Sequence, residues 1–222
     1  MPLNIIIEYR EAIMRGLGTT LIICGSAWLI GILGGIIFGY IAQRSKTFSE
    51  VLSISSFLLL SVPVLVLLFW LHYPAQAILK IVIDPLLTTV AVLSIINTVL
   101  TGELIKKALD DFPYQYISAA RVCGIAEKKI FLKIKLPLIF RQVLPGIITL
   151  QISIMHMSLF GSLISVEEIF RIAQQINSQI YRPVEIYTAL AFLFIAVSLP
   201  LNIWAHYLRN KYTRDLSEEK NA

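Results

Sequence analysis

The chain has 222 residues, of which 57% are hydrophobic and only 15% charged, with a mean hydropathy of +0.76. A soluble globular domain carries about 25% charged residues, so this composition excludes an ordinary soluble domain and points to a membrane protein. The net charge of +5 is dispersed between apolar segments; a nucleic-acid footprint needs a clustered basic face on a soluble domain.

A helix that crosses the hydrocarbon core needs roughly 20 apolar residues. Five segments have that length, at about 17–42, 52–73, 85–105, 143–166 and 186–208. None shows the alternating pattern of barrel strands, so an all-α membrane protein with five transmembrane helices is expected. Residues 1–16 mix charged and apolar groups (Glu8, Arg10, Glu11, Arg15) and read as an amphipathic helix at the outer interface. The first apolar run is too long for a signal-peptide core of about 7–15 residues, and it reads as a retained helix. Within it Gly31, Gly35 and Gly39 recur at four-residue steps beside Gly34. Such a stripe lets a second helix approach closely.

The second span carries Pro63 near its middle, where proline removes a backbone hydrogen bond and kinks a helix. The expectation is one kinked span, the kink either lining a pathway or serving packing. His72 is expected at the outer interface. In the third span Asn97 should hydrogen-bond a neighbouring helix, and Glu103 with Lys106 and Lys107 suggests an interfacial salt pair. His156 in the fourth span is an ionisable group at membrane depth, such groups being costly and usually functional. It is either packed against a carbonyl or part of a pathway. Pro200 in the fifth span reads as a packing kink.

Residues 106–141 form the one large polar segment. Two short helices joined at Gly124 fit it. Pro113 starts the first, and Pro137 and Pro145 bracket the return into the membrane. Ala119 and Ala120 are small enough to let a partner surface approach the backbone. The link at 167–185 carries Glu167, Glu168, Arg171, Arg182 and Glu185 and is expected outside, and the charged tail from Lys211 to Ala222 is expected to fray. Fourteen of the nineteen Lys and Arg residues fall on the side of the 106–141 segment. The excess of basic residues places that segment and the C-terminus in the cytoplasm and the N-terminus outside.

No catalytic, cofactor-binding or metal residues are expected. There is no G-x-x-x-x-G-K-[ST] loop for ATP, no His/Cys/Asp cluster with metal-ligand spacing and no nucleophile elbow. Cys24 and Cys123 fall in the first span and in the polar segment, so no disulfide is expected.

The run Ser118-Ala119-Ala120-Arg121-Val122-Cys123-Gly124, followed after nine residues by Ile134-Lys135-Leu136-Pro137, resembles the coupling loop of bacterial ABC importer permeases: Glu-Ala-Ala, three residues, Gly, nine residues, Ile-x-Leu-Pro. The resemblance is closest to permeases of polar amino-acid uptake systems of the histidine, lysine, arginine and glutamine type, and it extends over roughly 16–208. It is carried also by Gly16 to Leu21, Pro63-Val64-Leu65-Val66, Glu103, Pro113, Arg141, Leu144-Pro145, Ser158-Leu159, Glu168 and Arg182-Pro183-x-Glu185-Ile186-Tyr187.

The resemblance implies an importer type I permease fold with a cytoplasmic two-helix coupling loop at 113–137. Its docking residues would be Ser118, Ala119, Ala120, Gly124, Ile134, Leu136 and Pro137, and a translocation pathway would pass Pro63, His156, Ser158 and Glu168. It implies two ABC ATPase subunits, a second permease subunit (a paralogue or a copy of this chain), a periplasmic substrate-binding protein and a bacterial inner membrane, with no ATP hydrolysis in this chain. Three departures stand out. Ser118 replaces the Glu that opens the loop motif, Leu60-Ser61-Val62 replaces the family's Arg-Gly-Thr, and Met155-His156-Met157 replaces its Lys-Asp-Thr. Leu67 likewise stands where the family has Gln four residues after the Pro. Apart from Ser118, which belongs to the docking frame, these are pathway positions in the family, and apolar groups there put direct substrate contact by this subunit in question. The competing class is an ion-coupled carrier or channel without ATPase partners, which needs ionisable groups along several spans.

Overall fold

A computed structural model describes residues 7–217, with side chains through Tyr212. Residues 1–6 of the expected amphipathic segment and 218–222 of the charged tail lie outside the described residues. Every regular element among the described residues is a helix. Four are long and apolar enough to cross a membrane. These are α1 (Arg10–Arg44), α4 (Pro85–Asp110), α6 (Glu127–Ile164) and α8 (Pro183–Ser217, apolar through Tyr212). A fifth candidate is a bent pair, α2 (Lys46–Ser61) and α3 (Val64–Leu79). Two shorter helices complete the described residues, α5 (Tyr114–Val122) and α7 (Ile169–Ile180).

The second expected span is corrected here. α2 and α3 meet at 98°, which is a break rather than a kink within one helix. Proline disfavours the helical region for the residue before it as well as removing its own N–H. Val62 is accordingly extended (φ −103°, ψ 127°) and Pro63 follows at ψ 132°. Two non-helical residues in succession turn the chain.

The α1–α4 pair is the most extensive contact in the bundle, and the glycine stripe explains it. A Cβ at Gly31 would overlap Asn97, one at Gly35 would overlap Thr101, and one at Gly39 would lie 2.6 Å from the Gly102 carbonyl oxygen. Asn97, Thr101 and Ile105 repeat at the same four-residue step, so side chains of one helix seat on bare backbone of the other. The expectation of a packing stripe is met. Ile23, Ala27, Val92, Leu93, Ile96, Leu68 and Ile154 fill the space where these helices meet α3 and α6.

α6 runs unbroken from the polar segment into the bundle, which revises the expected short second helix and separate fourth span. A wider π-turn at Phe131–Lys135 precedes Pro137. Such local adjustments re-pair carbonyls that proline leaves unbonded. α8 packs along α6 and otherwise exposes Phe192, Ile195, Leu199, Ile203 and Trp204. Leu21, Leu29, Leu33 and Ile37 of α1 are likewise exposed. Such faces suit lipid or a partner helix and not water.

α7 lies across the α1 terminus opposite the 113–137 segment. Its apolar stripe (Ile172, Ala173, Ile176) packs on Tyr9, Ala12, Ile13 and Ile186.

Candidate coupling loop and buried polar sites

α5 begins after Pro113 and ends in a Schellman motif. Ile125 N–H donates to Ala120 O (3.1 Å), Gly124 N–H donates to Arg121 O (2.9 Å), and Gly124 takes φ +73°. A left-handed residue at this position favours glycine, so Gly124 makes the sharp turn into α6. Arg121 braces the turn, pairing with Glu127 and donating from Nη1 to the Tyr114 hydroxyl (3.1 Å). The Glu127 carboxylate raises the Arg121 pKa above its ordinary value.

Residues 121–129 are all exposed and form the apex, with Val122 90% exposed. The two alanines differ. Ala119 is exposed, whereas Ala120 is buried against its own chain, because adjacent residues on a helix lie about 100° apart. Ser118 and Ile134 are half-buried, and Leu136 and Pro137 are exposed on α6. The loop residues are therefore brought to one end of the molecule, with Ala120 turned inward.

The four pathway candidates separate into two kinds. Pro63 is exposed at the α2–α3 break, and His156 is exposed on α6 with its ring edge to Phe194, centroids 5.9 Å apart. Ser158 and Glu168 are fully buried. Ser158 Oγ donates to Met155 O (2.8 Å) and accepts from Cys24 Sγ (3.7 Å). Glu168, expected in an outside link, caps α7: Phe170 and Arg171 N–H donate to its carboxylate at 2.9 and 2.8 Å. Ile169 N–H donates to Thr20 Oγ1 (3.1 Å). Burial pushes the Glu168 carboxyl up to about 7, against the opposing pull of the two N–H bonds.

The expected bond from Asn97 to a neighbouring helix is present and is part of a larger hub. Asn97 Nδ2 donates to Ala27 O (2.9 Å) and to Gln151 Oε1 (2.8 Å). Its Oδ1 accepts from Gln151 Nε2 and Thr101 Oγ1, each at 3.1 Å. Trp28 Nε1 donates to Gln151 O (3.1 Å). The hub ties α1, α4 and α6 at mid-bundle. Gln151 was missed in the sequence, although an amide inside the apolar span at 143–166 is itself a signal. A second network sits at the far end of α3, where Gln76 Nε2 donates to Thr88 Oγ1 (3.2 Å), Ile83 N–H donates to Gln76 Oε1 (2.8 Å) and His72 Nδ1 lies 3.2 Å from Thr88 Oγ1.

The salt pair expected around Glu103 does not form. Lys106 Nζ donates instead to Ser53 Oγ (3.2 Å), and Glu103 Oε1 is buried without a hydrogen-bond partner among the described residues.

The comparisons with known proteins agree with this architecture. The family described as binding-protein-dependent transport system inner membrane component matches residues 31–214. The octopine transport system permease protein OccM of Rhizobium radiobacter is 27% identical over 139 residues, 59% of this chain and 57% of that protein. The arginine ABC transporter permease protein ArtQ of Haemophilus influenzae is 25% identical over 125 residues, 56% of this chain and 57% of that protein. The match thus spans about half the length of these curated relatives. Among solved structures, an amino acid ABC transporter with histidines superposes with a TM-score of 0.80 at 22% identity, covering 93% of this chain and 96% of that one. A MetNI methionine ABC transporter in an inward-facing conformation gives 0.71 at 18% identity, covering 92% and 98%. With the glycine-packed helices, the Schellman-capped apex and a family match over most of its length, the chain belongs to the binding-protein-dependent transport system inner membrane components.

Proposed function

We propose that this chain is the membrane-spanning permease subunit of an ATP-driven importer of polar amino acids, basic ones among them. The chain pairs with a second permease subunit, docks two ABC ATPase subunits on the 113–137 loop, and receives substrate from a periplasmic binding protein. The loop and the C-terminus face the cytoplasm of a bacterial inner membrane, and α7 with the start of α1 faces outside. The observation that carries this reading is the apex itself. A rigid helix–turn–helix, capped at Gly124 and braced by Arg121 and Glu127, presents nine exposed residues at one end of an otherwise apolar bundle. Motion of a docked ATPase pair passes to the bundle as rigid-body displacement. The family's description as binding-protein-dependent and the relatives' description as ABC transporter permeases support this set of partners.

The test is purification of the tagged chain in mild detergent, with its companions identified by mass spectrometry. An ATPase subunit should copurify. Ala119→Asp, on the exposed side of α5, should release it without lowering the thermal stability of the chain. A well-folded preparation that carries no ATPase overturns the reading.

A further inference from the structure

A groove of about 410 Å³ opens at the end of the molecule opposite the apex, between α1 and α7. Its volume lies within the roughly 300–1,000 Å³ of small-molecule sites. Ala12, Ile22 and Ile172 line it with apolar groups, and Arg15, Thr19, Glu167 and Gln175 with polar ones. Arg15 and Glu167 carry opposite charges on one groove, yet neither is in an ion pair among the described residues. Both are exposed. Gly18 leaves the wall open, since an added Cβ there meets nothing within 4 Å. The groove is separate from the Pro63 and His156 positions and from the Asn97 hub.

We propose that this groove is an outer binding site for the backbone of a free L-amino acid. The Arg15 guanidinium takes the α-carboxylate, a charge-assisted pairing that favours arginine's fork. The Glu167 carboxylate takes the α-ammonium. Gln175 offers neutral hydrogen bonds, the Thr19 hydroxyl, which donates to Arg15 O (3.2 Å), can accept one, and the side chain of the amino acid extends outward. Nothing in the groove selects one side chain, as suits a site that receives whatever the binding protein releases. The inference rests on the proposed import function and names where the substrate first meets this chain. A phosphoethanolamine lipid headgroup shares the anion-plus-ammonium chemistry, so the experiment must separate the two.

The assembled transporter is placed in nanodiscs, and uptake of the twenty common L-amino acids and octopine is measured first in liposomes. Absence of any uptake overturns the import reading and this one with it. For the amino acid taken up, equilibrium binding of the tritiated compound is measured without binding protein. Arg15→Gln and Glu167→Gln should each weaken binding about tenfold, roughly 1.4 kcal/mol. Gly18→Leu, which fills the groove from an unpacked position, should abolish binding while leaving assembly intact. The amide derivative, lacking the carboxylate, should bind wild type and Arg15→Gln equally. The N-acetyl derivative should likewise ignore Glu167→Gln. Unchanged affinity in all three variants, with uptake intact, overturns the groove and leaves the importer standing. An effect seen only in discs containing phosphatidylethanolamine, and absent in phosphatidylcholine, assigns the groove to lipid and overturns the proposal.

Discussion

Asn97→Ala is the substitution whose cost follows most directly from the structure. The side chain is fully buried and takes part in four hydrogen bonds to three partners: the Ala27 carbonyl, both amide atoms of Gln151 and the Thr101 hydroxyl. Three of the four cross between helices, the Thr101 bond lying within α4, and interhelical bonds in membranes average about 0.6 kcal/mol each, so the loss should be about 2 kcal/mol. Gln151→Ala breaks only the two bonds it shares with Asn97, about 1.2 kcal/mol on the same scale. Because those two bonds belong to both residues, the double variant should cost about 1 kcal/mol less than the sum of the single ones. The assay is unfolding in mixed micelles, followed by tryptophan fluorescence, for all four corners of the cycle. Additivity within about 0.3 kcal/mol, or a cost for Asn97→Ala under about 0.5 kcal/mol, would refute the view that this amide pair fastens three helices.

Glu168 should make stability fall as pH rises. Its folded pKa of about 7 exceeds the ordinary 4.5, so the folded chain keeps a proton that the unfolded chain releases. The stabilisation is complete below about 4.5 and is lost through about 7, roughly 3 kcal/mol in all. Glu168→Gln should flatten the difference between melting curves taken at about pH 5 and about pH 8, and a variant as pH-sensitive as wild type counts against the buried carboxyl. Gly35→Ala should cost about 1–3 kcal/mol, because its Cβ meets Thr101 and, at 3.0 Å, the main-chain nitrogen of Gly102, and only separation of α1 from α4 relieves it. Gly18→Ala in the same helix meets nothing and should be neutral or stabilising by up to about 1 kcal/mol. Equal losses at the two positions would remove the packing argument.

The legible parts of this chain were those written in composition and period. Apolar length announced the long helices, the four-residue glycine step announced the α1–α4 contact, and glycine between two polar helical stretches announced the apex. What stayed hidden depends on tertiary company. Pro63 licenses either a kink or a break, and the extended Val62 before it decides in favour of a break. Glu167 and Glu168 are adjacent and alike in sequence, yet one is exposed and the other is buried under the N-terminus of α7. Ala119 and Ala120 differ only in azimuth around α5. Gln151 became visible as a partner of Asn97 only once α4 and α6 were side by side. Lys106 chose Ser53 over Glu103 because α2 lies next to α4.

The continuity of α6 gives the bundle a lever. Its 38 residues span about 57 Å at 1.5 Å per residue. Pro145 stands near the middle of an otherwise continuous helix. About 27 Å of helix lies on either side of it. A tilt of about 10° around that fulcrum carries the apex roughly 5 Å one way and the Ser158–Ile164 end a similar distance the other way. The far arm ends against Cys24 and runs on to Glu168. In the proposed importer a push at the apex would become a sideways stroke at the opposite end of the bundle, with a single piece of secondary structure as the whole gearing.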